Sequence, residues 1–333
     1  MRRTMVRPDP ARKEQPHVKT LLFLMVIAGL TACWCGAAET PAAQAAARKK
    51  KIVFLAGRQS HGWQGHAFAA DCALLAKALN AGVPGVEATV ITTGWPKDRS
   101  VLEDAAAIVI ACDGNGIIGG KANCEFLDSL AAKGTGFAFL HYALDPGKEV
   151  GQYLLKWIGG YYEQHWSVNP SWLADFKSLP DHPVTRGVKP FRMHDEWYYH
   201  MRFQEDMKGV TPILTAIPPD STRMGRDGAH SGNPTVRSRK GMPEHVAWVY
   251  ERPGGGRGFG CTGGHTHWNY ANDNYRKLLL NAICWIAGVD VPPDGVPAPR
   301  PTAEEMEANL AGERPRDWTP EKTARMIEAV NKQ

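Results

Sequence analysis

Between residues 51 and 141 the chain repeats one pattern, and that pattern constrains the fold more than any other feature. Residues 51–56, 86–92, 107–112 and 136–141 are short strand-like runs, separated by helical patterns over 68–82, 100–105 and 122–132, with Ser100 placed to cap the second. Strands that are apolar on both faces must be covered on both faces. Their alternation with helices therefore predicts an α/β, doubly wound, mainly parallel sheet. The pattern breaks over 153–206, which is rich in Trp, Tyr and His and interrupted by Pro170, Pro180, Pro183 and Pro190. Loops and short strands over the edge or mouth of the sheet are expected there. Strands return at 211–217, 245–251 and 258–262, and a helix over 272–287 closes the domain at Gly288. The stretch 218–243 between them reads as a polar loop.

The two ends lie outside this pattern. Residues 1–20 hold six basic and two acidic side chains, and 21–30 (LLFLMVIAGL) are apolar. Ten residues are too short to cross a bilayer but suit a signal-peptide core. Leu30-Thr-Ala-Cys33 follows with lipobox spacing, which predicts export to the periplasm or cell envelope and a membrane anchor through lipid on Cys33; ordinary cleavage near Ala37 or Ala38 is the alternative. The expected organisation is a signal peptide over 1–33, an Ala-rich tether over 34–50, one domain over 51–290, and a Pro-rich exit with two helices over 291–333. Of the formal charge of +5, residues 1–20 carry +4, so the remaining chain holds +1 and has no electrostatic reason to bind nucleic acid. Seven cysteines without a CxxC pair encode neither a zinc knuckle nor a disulfide scaffold.

Ligands of open parallel sheets sit beyond the carboxyl ends of the strands. The loops there carry Gly57-Arg-Gln-Ser-His61-Gly-Trp-Gln-Gly-His66, Asp113-Gly-Asn115-Gly116, His141, and Gly263-Gly-His265-Thr-His267-Trp268. Any one of these histidines fits ordinary packing, but four loops converging on them do not. Neither a dinucleotide fingerprint, a P-loop nor a nucleophile elbow is present. Neutral imidazoles with a carboxylate suit Zn, Mn or Fe, although His265 and His267 point apart if their loop is extended. Trp63, Trp166, Trp197 and Trp268 could cover the apolar faces of a sugar.

Several of these segments, in order, resemble the ThuA-like (trehalose utilisation) family: Gly136-Phe-Ala-Phe-Leu-His141, Gly159-Gly160 followed by His165, His182-Pro-Val-Thr-Arg-Gly187, Asp195-Glu-Trp-Tyr198, Val246-Ala-Trp248, Gly256-Arg-Gly258, Gly263-Gly-His265 and the stretch 275–288. The resemblance implies a flavodoxin or class I glutamine amidotransferase-like sheet and a role in catabolism of trehalose-type disaccharides, including 3-keto forms. In amidotransferases the strand ending here at His141 presents a nucleophilic cysteine; this chain has none nearby, so glutaminase chemistry is not expected. The expected catalytic groups are His141, Glu196 and His265, by acid–base or metal-assisted chemistry with Zn or Mn. His61, Asp113, Asn115, His165, Asp195 and Trp268 are the expected contacts to a small carbohydrate. A non-catalytic carbohydrate-binding lipoprotein or an interaction scaffold is the competing reading.

Overall fold

The structure, a computed structural model, describes residues 49–332, so the leader, Cys33 and most of the tether lie outside the described residues. A seven-stranded sheet runs in the order β2 (Val86–Ile91), β1 (Lys50–Ala56), β3 (Ala107–Ala111), β4 (Gly136–Leu140), β11 (Arg257–Cys261), β10 (Glu244–Glu251), β9 (Val210–Ala216). The first five strands are mutually parallel, and β10 is antiparallel to both of its neighbours. This is the mainly parallel α/β sheet that the strand pattern predicts.

Strand alternation divides the core between two layers. Ile52, Phe54 and Ala56 of β1 pack on one side with α1 (Phe68–Gly82) and α5 (Asp273–Ile286). Val53 and Leu55 face the other side, toward α2 (Lys121–Ala132) and α3 (Lys148–Ile158). Phe68, Cys72, Leu75 and Leu79 of α1 recur at three- and four-residue intervals, which turns one helical face to the sheet. Helix α5 starts at Asn272, whose side chain accepts from the amides of Asn274 and Tyr275.

Three local expectations change. Helix α3 occupies a stretch read partly as loop, because Gly151 in its middle weakens the helical pattern by about 1 kcal/mol. That glycine has a tertiary reason: a Cβ there would lie 2.2 Å from the Tyr161 ring. The helix expected over 100–105 is a 3₁₀ turn, Arg99–Leu102, capped by Asp98 rather than Ser100. The polar stretch 218–243 contains a short helix, α4 (Pro234–Ser238), capped by Asn233.

Two small ribbons stand beyond the main sheet, β5 (Gly160–Tyr161) with β8 (Arg202–Phe203) and β6 (Ser171–Phe176) with β7 (Phe191–Glu196), both antiparallel. In the second, Trp172, Ala174 and Phe176 are buried together with Phe191, Met193 and Asp195. The same alternation turns Asp195 inward and leaves Glu196 half-buried at the strand end.

The C-terminal helices α6 (Ala303–Glu307) and α7 (Pro320–Val330) pack on the domain through a cluster of Trp268, Ala271, Met306, Ile327 and Val330. Cys72, Cys112, Cys124, Cys261 and Cys284 are buried and unpaired with one another. No helix among the described residues is long and apolar enough to cross a membrane.

Candidate active site: three histidines and a glutamate

The carboxyl ends of β1, β4 and β11 and the end of β7 meet at one point. The loop after β1 ends in His66, directly before α1; β4 ends at Leu140 and hands over to His141; β11 leads to His265; β7 ends in Glu196. Backbone bonds stitch two of these loops together, from His66 N–H to His265 O (3.0 Å) and from His267 N–H to Gln64 O (2.8 Å). His66 and His141 both adopt left-handed backbone, with φ of 43° and 52°. Such conformations cost about 1 kcal/mol or more each in a non-glycine residue and persist only where the surroundings impose them.

The functional atoms are close. His66 Nε2 lies 3.0 Å from His141 Nε2 and 3.0 Å from His265 Nδ1. Glu196 Oε2 is 3.1 Å from His265 Nδ1 and 3.5 Å from His141 Nε2. The Tyr198 hydroxyl is 3.2 Å from His141 Nε2.

The outer partners fix the tautomers. His141 Nδ1 donates to the Thr262 carbonyl at 2.8 Å, and His66 Nδ1 donates to Asp113 Oδ1 at 2.6 Å. Each neutral ring carries one N–H, so both Nε2 atoms present lone pairs to each other. Two lone pairs at that separation repel unless a proton or a cation lies between them. Ligand atoms around a tetrahedral ion bound at about 2.0–2.1 Å stand roughly 3.3 Å apart, close to the spacings here. Ring nitrogens held by a carbonyl and a carboxylate from behind are also how metal-ligating histidines are oriented. The chemistry of the donor set therefore fits a divalent cation held by His66, His141, His265 and Glu196.

The electrostatics favour a neutral imidazole at His141. Burial, and then the neighbouring His66, pushes His141 well below its ordinary value. Burial also pulls His265 down, but the hydrogen bond and charge of Glu196, with Asp195 and Asp113 behind them, raise it on balance. Asp113 is pushed up by burial, yet the hydrogen bonds from His66 and Ser60 bring it below the usual carboxylate range.

The other expected site residues separate. His61 stands at the mouth, exposed, with its ring centroid 4.0 Å from that of His66. Asp113 holds the back of His66, so it supports the centre from behind. Asp195 is buried and accepts from the backbone amides of Gly264 (2.7 Å), Glu196 (2.9 Å) and Thr266 (3.2 Å), which fixes the His265 loop and leaves it no role as a sugar contact. Asn115 spends its amide on the backbone of Gly119 and closes its own turn. His165 is exposed on a separate loop, its backbone N–H bonded to Ala229 O.

Trp268 corrects an expectation outright. It is fully buried, stacked on Trp318 at 5.3 Å, with its indole N–H donating to Gln64, and it cannot meet a sugar. Trp197 is likewise fully buried. The sequence points to His61 as the site residue of this loop, whereas the structure brings in His66. The available signal was position: His66 adjoins the buried start of α1, whereas His61 precedes the Gly62 turn.

The sequence pattern of the ThuA family, described as trehalose utilisation, matches residues 53–286. A solved ThuA-like protein from Bacteroides uniformis superposes with a TM-score of 0.54 at 18% identity, covering 73% of this chain and 93% of its own. Another from Parabacteroides merdae gives 0.48 at 18% identity, over 76% and 96%. No curated protein matches in sequence. The first of these likenesses speaks to the fold alone, an α/β sheet of class I glutamine amidotransferase-like type.

Proposed function

The chain belongs to the ThuA, or trehalose utilisation, family, and from that premise we propose that it is an exported, lipid-anchored enzyme of carbohydrate catabolism acting on trehalose-type or 3-keto glycosides. Its chemistry is assigned to His66, His141, His265 and Glu196, holding a divalent cation such as Zn or Mn. The observation that carries this reading is the pair of Nε2 lone pairs, on His66 and His141, held 3.0 Å apart by an outer carboxylate and carbonyl. A cation bound there would polarise a sugar oxygen or make water more acidic. The residues' own tasks are separable. Asp113 and Thr262 fix ring orientation, Asp195 fixes the loop of His265, and Tyr198 can hydrogen-bond an oxygen brought to the centre.

A metal-free version uses the same residues. His141 and Glu196, 3.5 Å apart, would then divide the proton-accepting and proton-donating roles. The experiment that separates them is metal analysis with chelation. One equivalent of cation per chain is expected, with turnover of trehalose or its 3-keto form lost on exhaustive chelation and restored by a single added cation. His66→Ala should lose both the cation and the turnover. Activity that survives chelation but vanishes in Glu196→Gln would instead assign the metal-free version, and tight sugar binding without turnover would make the protein a carbohydrate-binding lipoprotein.

A further inference from the structure

If three histidines and Glu196 are occupied as ligands, none of them is available to carry a proton between substrate atoms. A second histidine–carboxylate pair is linked to the centre through Asn169. His230 Nε2 lies 2.8 Å from Asp145 Oδ2; the carboxylate is buried, at 2% exposure, whereas the imidazole is 37% exposed. Asp145 follows His141 by four residues, at the carboxyl end of β4. His230 comes from the polar loop between β9 and β10, which the rest of the site does not use.

Two chains of contacts connect the pair to the centre. The Asn169 backbone N–H donates to His230 O (3.2 Å), and its side-chain amide donates to Glu196 Oε1 (3.2 Å). A row of rings runs from His230 to Tyr162 (5.5 Å), Tyr162 to Tyr198 (5.3 Å) and Tyr198 to His141 (4.7 Å). Burial raises the phenol of Tyr142, and the charges of Asp145, Asp113 and Glu196 raise it further. The loop is held close at its base: a Cβ on Gly225 would lie 2.3 Å from Ser231 O, and Gly228 bridges to Gly232.

Resting on the functional reading above, we propose that His230, oriented by Asp145, is the proton carrier of this site. Asp145 accepts the Nε2 proton, which leaves Nδ1 as the basic atom. In hydrolysis of a glycoside, the water oxygen bonds to the anomeric carbon as the bond from that carbon to the departing oxygen breaks, the electron pair leaving with that oxygen, and Nδ1 takes the proton lost by water. The imidazolium so formed faces the Asp145 carboxylate. Its Nδ1 proton then goes to the departed oxygen. Water's hydroxyl and proton end on the two products, and His230 returns to its starting state.

The test compares wild type with His230→Gln and Asp145→Asn, each loaded with cation, on trehalose or 3-keto trehalose and on 4-nitrophenyl α-glucoside in the same oxidation state. The nitrophenolate leaves without a proton. His230→Gln is expected to keep its melting temperature and cation content, to lose about 100-fold or more in kcat on the disaccharide, and to lose much less on the nitrophenyl substrate. Asp145→Asn should show the same leaving-group dependence with a smaller loss, and it serves as the measurement should His230→Gln not fold. Equal losses on both substrates, unchanged turnover, or loss of the cation in His230→Gln would overturn the proposal while leaving the centre's assignment intact. A cation-loaded wild type that turns over neither glycoside would overturn the functional reading itself, and this proposal with it.

Discussion

Asp195 and Glu196 are neighbours with opposite fates, and the two-residue period of β7 is the reason. The strand turns Asp195 into the ribbon core and leaves Glu196 at the cleft. A buried carboxylate is tolerated because it accepts from three backbone amides, one of them next to His265 and another just after it. Burial raises Asp195, and the bonds from Gly264 and Glu196 oppose that rise. Asp195→Asn would turn an amide N–H toward those donors and leave at least one buried donor unpaired. The expected outcome is a loss of about 1–3 kcal/mol in urea unfolding and a cation dissociation constant raised about 10–100-fold by calorimetric titration. Unchanged cation affinity alongside lost stability would reduce Asp195 to a packing role.

Among the elements, the C-terminal helices bear most directly on the site, although they lie beyond the segment matching the family pattern. The segment between α6 and α7 touches the loop that carries His61 and His66: Ala311 N–H donates to Gln59 Oε1 at 2.6 Å, and Trp318 lies against Trp268 and Trp63. His267 spans Asp71 and the Met306 carbonyl, at 2.6 Å each, and so ties the tail to α1. A chain ended after Arg300 should melt at lower temperature and bind the cation more weakly, because Trp268 and the His66 loop lose their cover. Trp318→Ala alone should cost about 2 kcal/mol from lost apolar burial. Wild-type cation affinity in the shortened chain would mean that the loop holds itself. The strands of the main sheet were legible because they are apolar where the sheet is covered. Helix α3 was less so, since Gly151 answers to the Tyr161 ring and not to helix propensity.

For the whole molecule, membership of the family suggests a role in trehalose utilisation. The lipid anchor proposed at Cys33 concerns residues outside the described structure. Intact-mass spectrometry of the membrane fraction should find a mature N-terminus at Cys33 carrying diacylglycerol. An unmodified start near Glu39 would replace the anchor with ordinary signal cleavage. In that case the chain would reach its substrate as a free protein, with the site unaltered.

The local alternation of short apolar runs and helical patterns was enough to determine the sheet, its parallel core and the end at which ligands gather, because each depends on neighbours within about ten residues and on which faces must be covered. It also brought His141 and His265 forward as chemical groups, while Glu196 came from the resemblance to the ThuA-like family. The choice of His66 over His61, the retreat of Trp268 into the core and the service of Asp113 and Asp195 as supports were decided only in three dimensions. Ring orientation depends on acceptors far away in sequence, such as Thr262, 121 residues from His141, and Asp113, 47 residues from His66. No local pattern encodes which lone pairs will meet when four loops close on one point.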